Sequence, residues 1–288
     1  MSDSSLKPRL LTAAIFACAV AFFAYVVIGR LSEMTDKHPN APKRIVIKPF
    51  NDLPMEEATQ EFQRFALDVT TKTHIRNYSY YLYTPFLAEH SNKKFPLVMV
   101  LHNAKGFAYA AKYLAARQAA NENAAFIFVP MLNMNNPWTL VPQDSSVLMD
   151  EYPISDAVLM VRRLAELYPV DTSRIYVVGC SAGGIGAYAA ARYFPDVFAA
   201  AIPISGGWKL ADAPNLTRVP LWVEHGDADT TIPSYNDFKL AHAIQADGGS
   251  AMYTEFPHVG HECSLESFYS TSIFDWMFKQ RLKSPLKQ

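Results

Sequence analysis

The chain has no surplus of either charge. Its 26 basic and 27 acidic residues are interspersed, with no basic stripe and no acidic tail. Nucleic acid is therefore not an expected partner. Internal repeats and low-complexity tracts are missing too, which leaves out solenoids and compositionally biased filaments. Only three cysteines occur, Cys18, Cys180 and Cys263, and neither a C-x-x-C pair nor a histidine cluster is found. No metal site and no cofactor are expected. What remains is a chain of 288 residues, half of them hydrophobic. That is enough for one α/β domain of roughly 230 residues and an N-terminal appendage.

The appendage is marked by one long apolar run. Leu10–Ile28 carries no charge and a single polar side chain, Thr12, and Lys7 and Arg9 precede it. As a helix it would be about 28 Å long, close to the hydrocarbon thickness of a bilayer. A short tail over 1–9 and a transmembrane signal anchor over 10–28 are expected. A cleaved signal peptide or a lipoprotein modified at Cys18 are the competing readings. Residues 29–60 contain Pro39, Pro42, Pro49 and Pro54 without a helical period and read as a linker. The main domain is expected over 61–282. Basic residues flank the run on both sides, and large C-terminal domains often cross regardless of that balance. An extracytoplasmic domain, periplasmic or extracellular, is the expected arrangement.

Within the main domain, strands and helices alternate. Strands are expected over Phe65–Thr71, Asn77–Tyr83, Pro96–Leu101, Ala125–Val129, Arg174–Gly179, Ala199–Ile204, Pro220–Val223 and Ala251–Phe256. Helices are expected over Phe107–Ala120, Asp150–Leu167, Ala182–Tyr193, Ser234–Ala246 and Leu265–Gln280. Pro96–Leu101 is continuously apolar, as befits a strand buried on both faces. The alternation predicts a mostly parallel central sheet with helices on both faces.

The chemistry concentrates at Gly179-Cys180-Ser181-Ala182-Gly183, a G-x-S-x-G sequence joining an apolar strand directly to a helix. A serine there sits on a sharp turn that closes only if the residues two before and two after are nearly free of side chain. The following helix N-terminus favours negative charge nearby. Cys180 is out of frame for the same role, since Val178 and Ala182 flank it at that spacing. A nucleophilic hydroxyl needs a base, and the base needs an orienting carboxylate, in the chain order Ser, Asp or Glu, His. Asp227 and Asp229 follow one strand, and His258 and His261 follow the last. Both pairs lie beyond strand C-terminal ends, where open α/β sheets bind ligands. His225 and His102 read as loop-fixing residues.

The stretches VDTSRIYVVGCSAGG, YFPDVFAAAIPISGG, HGDADTTIP and VGHECS resemble the esterase branch of the α/β-hydrolases. That branch includes polyhydroxybutyrate-depolymerase-like and feruloyl-esterase-like enzymes and the predicted peptidases near them. The similarity spans roughly Tyr80 to Gln280. It implies an α/β-hydrolase fold with Ser181 as nucleophile, Asp229 as the acid ending H-G-x-x-D, and His261 as the base. It also implies an oxyanion hole from the backbone N–H groups of Ala182 and Ala104. Asn103 departs from the family's usual glycine, and asparagine tolerates positive φ well enough to keep such a turn. Tannases and fungal feruloyl esterases bridge cysteines beside the serine and histidine. The similarity implies either a Cys180–Cys263 bridge, here with Glu262 intervening, or two free buried thiols.

The interval Ser205–Arg218 is too short for a helical cap, so no large cap domain and an open site are expected. Residues 131–149 are expected to overhang the site. Trp138 as a wall of that overhang and Trp208 as a lining of the acyl or alcohol pocket are one reading, and plain packing is the other. The absence of a Ser/Thr-rich linker or polymer-binding domain argues against a depolymerase of solid polyester. The expected activity is hydrolysis of a small-molecule or oligomeric ester through an acyl-enzyme. The rivals are a serine peptidase or amidase, and a membrane-tethered binding module whose Asn103 turn no longer forms an oxyanion hole.

Overall fold

The computed structural model describes residues 62–72, 75–85, 93–119, 124–131, 138 and 153–282. The expected anchor over 10–28 and the linker lie outside them. Among the described residues no helix is long and apolar enough to cross a membrane.

Eight strands form one sheet. They are β1 (Phe62–Thr70), β2 (Ile75–Tyr83), β3 (Phe95–Leu101), β4 (Phe126–Met131), β5 (Val170–Cys180), β6 (Ala200–Ile204), β7 (Leu221–Gly226) and β8 (Ala251–Phe256). Their spatial order is β1-β2-β4-β3-β5-β6-β7-β8. β1 pairs antiparallel with β2 and β2 with β4, and every later pairing is parallel. β3, β5 and β6 occupy the middle, and their apolar runs are buried along most of their length.

Helices α1 (Tyr109–Ala119), α2 (Pro153–Leu167), α3 (Ala182–Tyr193), α4 (Ser234–Ala246) and α5 (Thr271–Lys279) connect or follow the strands. Strand side chains alternate between faces. Val98, Val100, Tyr176, Val178 and Ile202 share one buried cluster with Leu114 of α1 and Phe274 and Met277 of α5. On the opposite face α3 lies along β5 and β6, and α4 lies against β7 and β8. The sheet is thus covered on both sides, as the alternating pattern predicts.

Several bounds shift, β1 beginning at Phe62 rather than Phe65 and β5 at Val170 rather than Arg174, and two further changes go deeper. The helix expected over Leu265–Gln280 is broken. A 3-10 turn over Glu266–Tyr269 precedes α5, because Ser270 adopts extended backbone and becomes the N-cap of α5. The strand expected over Pro220–Val223 begins one residue later and continues to Gly226, since His225 and Gly226 still pair with Glu255 and Phe256 of β8. Glu224 and His225, read from sequence as loop residues, therefore belong to the sheet and point to opposite faces. Between β6 and β7 the chain holds one 3-10 stretch, Leu210–Leu216, and no helical cap.

Candidate active site

β5 ends at Cys180 and α3 begins at Ala182, so Ser181 alone makes the turn. Its φ of 57° and ψ of −119° lie where side-chain-bearing residues are rarely found. The flanking glycines make this turn feasible. A Cβ at Gly179 would collide with the Gly183 backbone, and one at Gly183 would collide with the Leu101 carbonyl. The second contact presses the first turn of α3 against the end of β3, beside the segment that begins at His102.

Two other strand ends complete the group. His261, in the loop after β8, places Nε2 2.8 Å from Ser181 Oγ. Its Nδ1 is 2.6 Å from Asp229 Oδ2, in the loop after β7. Both distances are those of good hydrogen bonds. The Asp229 side chain is fully buried, whereas His261 keeps 21% of its side-chain surface. The other Asp229 oxygen, Oδ1, accepts N–H groups from Thr231 at 2.8 Å and Ile232 at 2.9 Å. Burial alone would raise the Asp229 pKa. The hydrogen bonds from His261, Ile232 and Thr231 and the nearby His261 charge outweigh it and hold this carboxyl below its ordinary range. The base and acid loops also touch directly, since a Cβ on Gly226 would meet the Val259 carbonyl.

The neighbouring acid and histidine are occupied elsewhere. Asp227 Oδ1 accepts the His258 backbone N–H at 2.6 Å, and His258 takes the left-handed φ of 62°. This pair ties the two loops together beside the triad.

The turn after β3 is built differently from the sequence expectation. Asn103 does not adopt positive φ; Gly106 does, at 85°. Asn103 Oδ1 accepts the N–H groups of Lys105 at 2.9 Å and Phe107 at 3.1 Å, and its carbonyl accepts that of Gly106 at 2.9 Å. The side chain thus organises the turn as an Asx motif. The turn's own bonds use the N–H groups of Asn103, Lys105, Gly106 and Phe107, and that of Ala104 is not among them. The N–H of Ala182 lies in the first turn of α3, where a helix offers no acceptor four residues back.

Trp138 is 1% exposed and Trp208 is 7% exposed, so neither stands as an open wall. The Trp138 indole N–H donates to the His102 carbonyl at 2.8 Å, and its ring lies against the His102 ring. It packs beneath the turn after β3 and fills the space left by Gly186. The Trp208 N–H donates to Asp212 at 2.9 Å, and its ring packs on Tyr188 and Tyr193. The remainder of the expected overhang beyond Met131 lies outside the described residues. Cys180 and Cys263 are joined by a disulfide whose Cα atoms are 5.8 Å apart.

Two residues that no motif marks, Asp237 and Tyr188, also converge here. His225 lies between Asp229 and Asp237 of α4, and the Tyr188 hydroxyl of α3 donates to Asp237 at 2.9 Å. Sequence reading missed Asp237 and Tyr188, because only the packing of α3 and α4 brings them to the end of β7.

The Prolyl oligopeptidase family model matches residues 144–211. A protein of Nocardia uniformis subsp. tsuyamanensis named as an esterase, NocK, is 24% identical over 232 residues, covering 78% of this chain and 62% of its own length. The crystal structure of a thermostable esterase superposes with a TM-score of 0.66 at 26% identity, over 77% of this chain and 64% of that one. The chain thus spans under two thirds of the length of either relative. A ferulic acid esterase shares the fold at 15% identity, with a TM-score of 0.57 over 76% of this chain and 99% of that one. So does the acylaminoacyl peptidase of Pyrococcus horikoshii, at 15% identity and a TM-score of 0.59 over 81% of this chain and 44% of that one. With the serine elbow and its acid and base at three strand ends, these likenesses converge on one conclusion: the chain has the α/β-hydrolase fold and is similar to esterases and prolyl-oligopeptidase-type peptidases.

Proposed function

We propose that the chain hydrolyses carboxylic esters through an acyl-enzyme on Ser181. The observation that carries this reading is the unbroken relay from Ser181 Oγ to His261, at 2.8 Å, and from His261 to Asp229, at 2.6 Å. Ser181 Oγ attacks the ester carbonyl while His261 Nε2 takes its proton. The tetrahedral oxyanion is held by the Ala182 and Ala104 N–H groups. His261 then protonates the departing alcohol. It next deprotonates the water that attacks the acyl-enzyme, returning Ser181 and a carboxylic acid. Asp229 keeps the imidazole in the tautomer whose Nε2 can act as base. The cycle calls on no cofactor.

Relatives named as esterases support the ester reading. A second reading, amide or peptide cleavage by the same triad, is favoured by the prolyl oligopeptidase match over 144–211. Labelling of the full chain by a fluorophosphonate, lost in Ser181→Ala, is the expected result. Absence of labelling in folded wild type would instead favour the tethered binding module. Turnover of p-nitrophenyl esters against peptide anilides then separates the two hydrolytic readings. The same proposal puts the domain on a membrane anchor at 10–28, facing out of the cytoplasm. Persistence in the membrane fraction through alkaline extraction tests the anchor, and protease accessibility in intact cells tests the side.

A further inference from the structure

His225 stands outside the triad, yet both its ring nitrogens are engaged with acceptors. Nδ1 is 2.8 Å from Asp237 Oδ2. Nε2 is 2.9 Å from the Ile232 carbonyl oxygen and 3.2 Å from Asp229 Oδ2, the oxygen that also takes the His261 Nδ1 hydrogen. A carbonyl oxygen only accepts, so Nε2 carries a hydrogen. On the far side of Asp237, Oδ1 accepts the Tyr188 hydroxyl. Burial pushes the Tyr188 pKa well above 10, so that hydroxyl keeps its proton and is the donor. A neutral His225 would turn a lone pair toward Asp237. It would also leave the Asp229 and Asp237 side chains, both fully buried, without a counter-charge between them.

We infer that His225 is a resident imidazolium, a positioning residue that clamps Asp229 from behind and, through Asp229, sets the pH range in which His261 acts as base. This role rests on the hydrolase reading above. The cationic state itself does not.

The groups facing this site come from four elements. Asp229 belongs to the loop after β7, Asp237 to α4, Tyr188 to α3 and Tyr253 to β8, where its hydroxyl bonds Glu255. His261 lies beyond Asp229. Burial pushes both tyrosines up, so they stay neutral. That leaves two carboxylates and one cation in a buried cluster. The His225 equilibrium agrees with the geometry. Burial works to lower its pKa, but the hydrogen bond and charge of Asp237, the Ile232 carbonyl and Asp229 together raise it. With the cation present, part of the Asp229 charge is balanced from behind. Without it, the full carboxylate charge acts on His261 and makes the base easier to protonate.

The direct test is the ring-nitrogen NMR spectrum of the full chain with 15N-labelled histidine, recorded from pH 5.5 to 8.5. The eight histidines are sorted by the signals lost in His225→Gln or, if that variant does not fold, by those perturbed in Asp237→Asn. Both His225 nitrogens are expected to be protonated at pH 7, the direction in which Asp237, the Ile232 carbonyl and Asp229 push this imidazole. An unprotonated His225 nitrogen at pH 7 overturns the inference, whether or not the chain turns over esters, while the Ser181→Ala comparison judges the hydrolase reading separately. The functional arm is the pH profile of kcat/KM in His225→Gln. Its acid limb is expected to move up by about one pH unit. A uniform loss of rate with the limb in place would reduce His225 to a purely structural residue and overturn the role.

Discussion

Glu224 and His225 are neighbours in β7, and the two faces of the sheet treat them in opposite ways. His225 meets acceptors at both ring nitrogens: Asp237 at one, and Asp229 and the Ile232 carbonyl at the other. Glu224 is 2% exposed, and its Oε2 has no hydrogen-bond partner among the described residues. It lies near Tyr269, within the apolar layer that includes the Cys180–Cys263 bridge. Burial pushes its pKa up to about 8, so near neutral pH it is held chiefly as the acid. Equal depth thus gives opposite charge states. What decides is the supply of partners, because an unpaired buried charge costs several kcal/mol and a bonded one far less. The face that supplies partners is the one that positions the triad.

The largest expected effect comes from breaking the charged side. Asp229→Asn removes the carboxylate and offers His261 the wrong hydrogen-bonding group. A fall in kcat of roughly 10³–10⁴ is expected, with the fold retained. Ester turnover together with circular dichroism checks it.

Breaking the neutral side acts on stability instead. The folded Glu224 binds its proton more tightly than the unfolded chain, whose value is the ordinary 4.5 against about 8. The folded state therefore holds more protons between those values. Its stability is highest below 4.5, falls as pH rises through the window, and levels off above about 8. The full swing is on the order of 5 kcal/mol. Glu224→Gln should abolish this contribution. Urea unfolding at pH 5 and pH 8.5 should give curves that agree at the lower pH and favour the variant at the higher one. A wild type that loses nothing relative to the variant would dissolve the contrast between the two faces.

The smallest effect sharpens the comparison from a distance. Asn103→Ala deletes the acceptor for Lys105 and Phe107 N–H without touching either side of β7. About 1 kcal/mol of stability should be lost, and loosening of the Ala104 donor should lower kcat by roughly tenfold. The pH dependence of both properties should be unchanged.

Much of this arrangement was legible in the sequence for reasons of local geometry. Gly179 and Gly183 advertise a turn that admits no side chains, and apolar runs such as PLVMVL advertise a buried parallel sheet. Strand ends converging in such a sheet bring Asp227, Asp229, His258 and His261 into view, and the resemblance to the esterase branch of the α/β-hydrolases singles out Asp229 and His261. Asp237, Tyr188 and the buried state of Glu224 left no local trace, since they depend on helices packing across the sheet. The tryptophans took the plainer of the two roles open to them. A large aromatic near a site is as well suited to bracing a turn as to meeting substrate. The N–H of Trp138 reaches a carbonyl 36 residues away that no pattern announces. At Asn103 the side chain, rather than the backbone conformation, replaced what glycine would have supplied.

The disulfide has a topological consequence. Cys180 and Cys263 are 83 residues apart in the chain, and Ser181, Asp229 and His261, together with His225 and Asp237, all fall between them. The triad and the His225–Asp237 pair behind it therefore lie on a single covalent macrocycle, closed next to the serine at one end and two residues past the histidine at the other, while Ala104 lies outside it. Ring closure restricts the unfolded ensemble by roughly 4–5 kcal/mol for a loop of this size. It also means that one peptide-bond cut between Cys180 and Cys263 opens the ring without separating its parts: sulfur still joins the serine to the histidine, and the severed chain travels as one molecule until it is reduced.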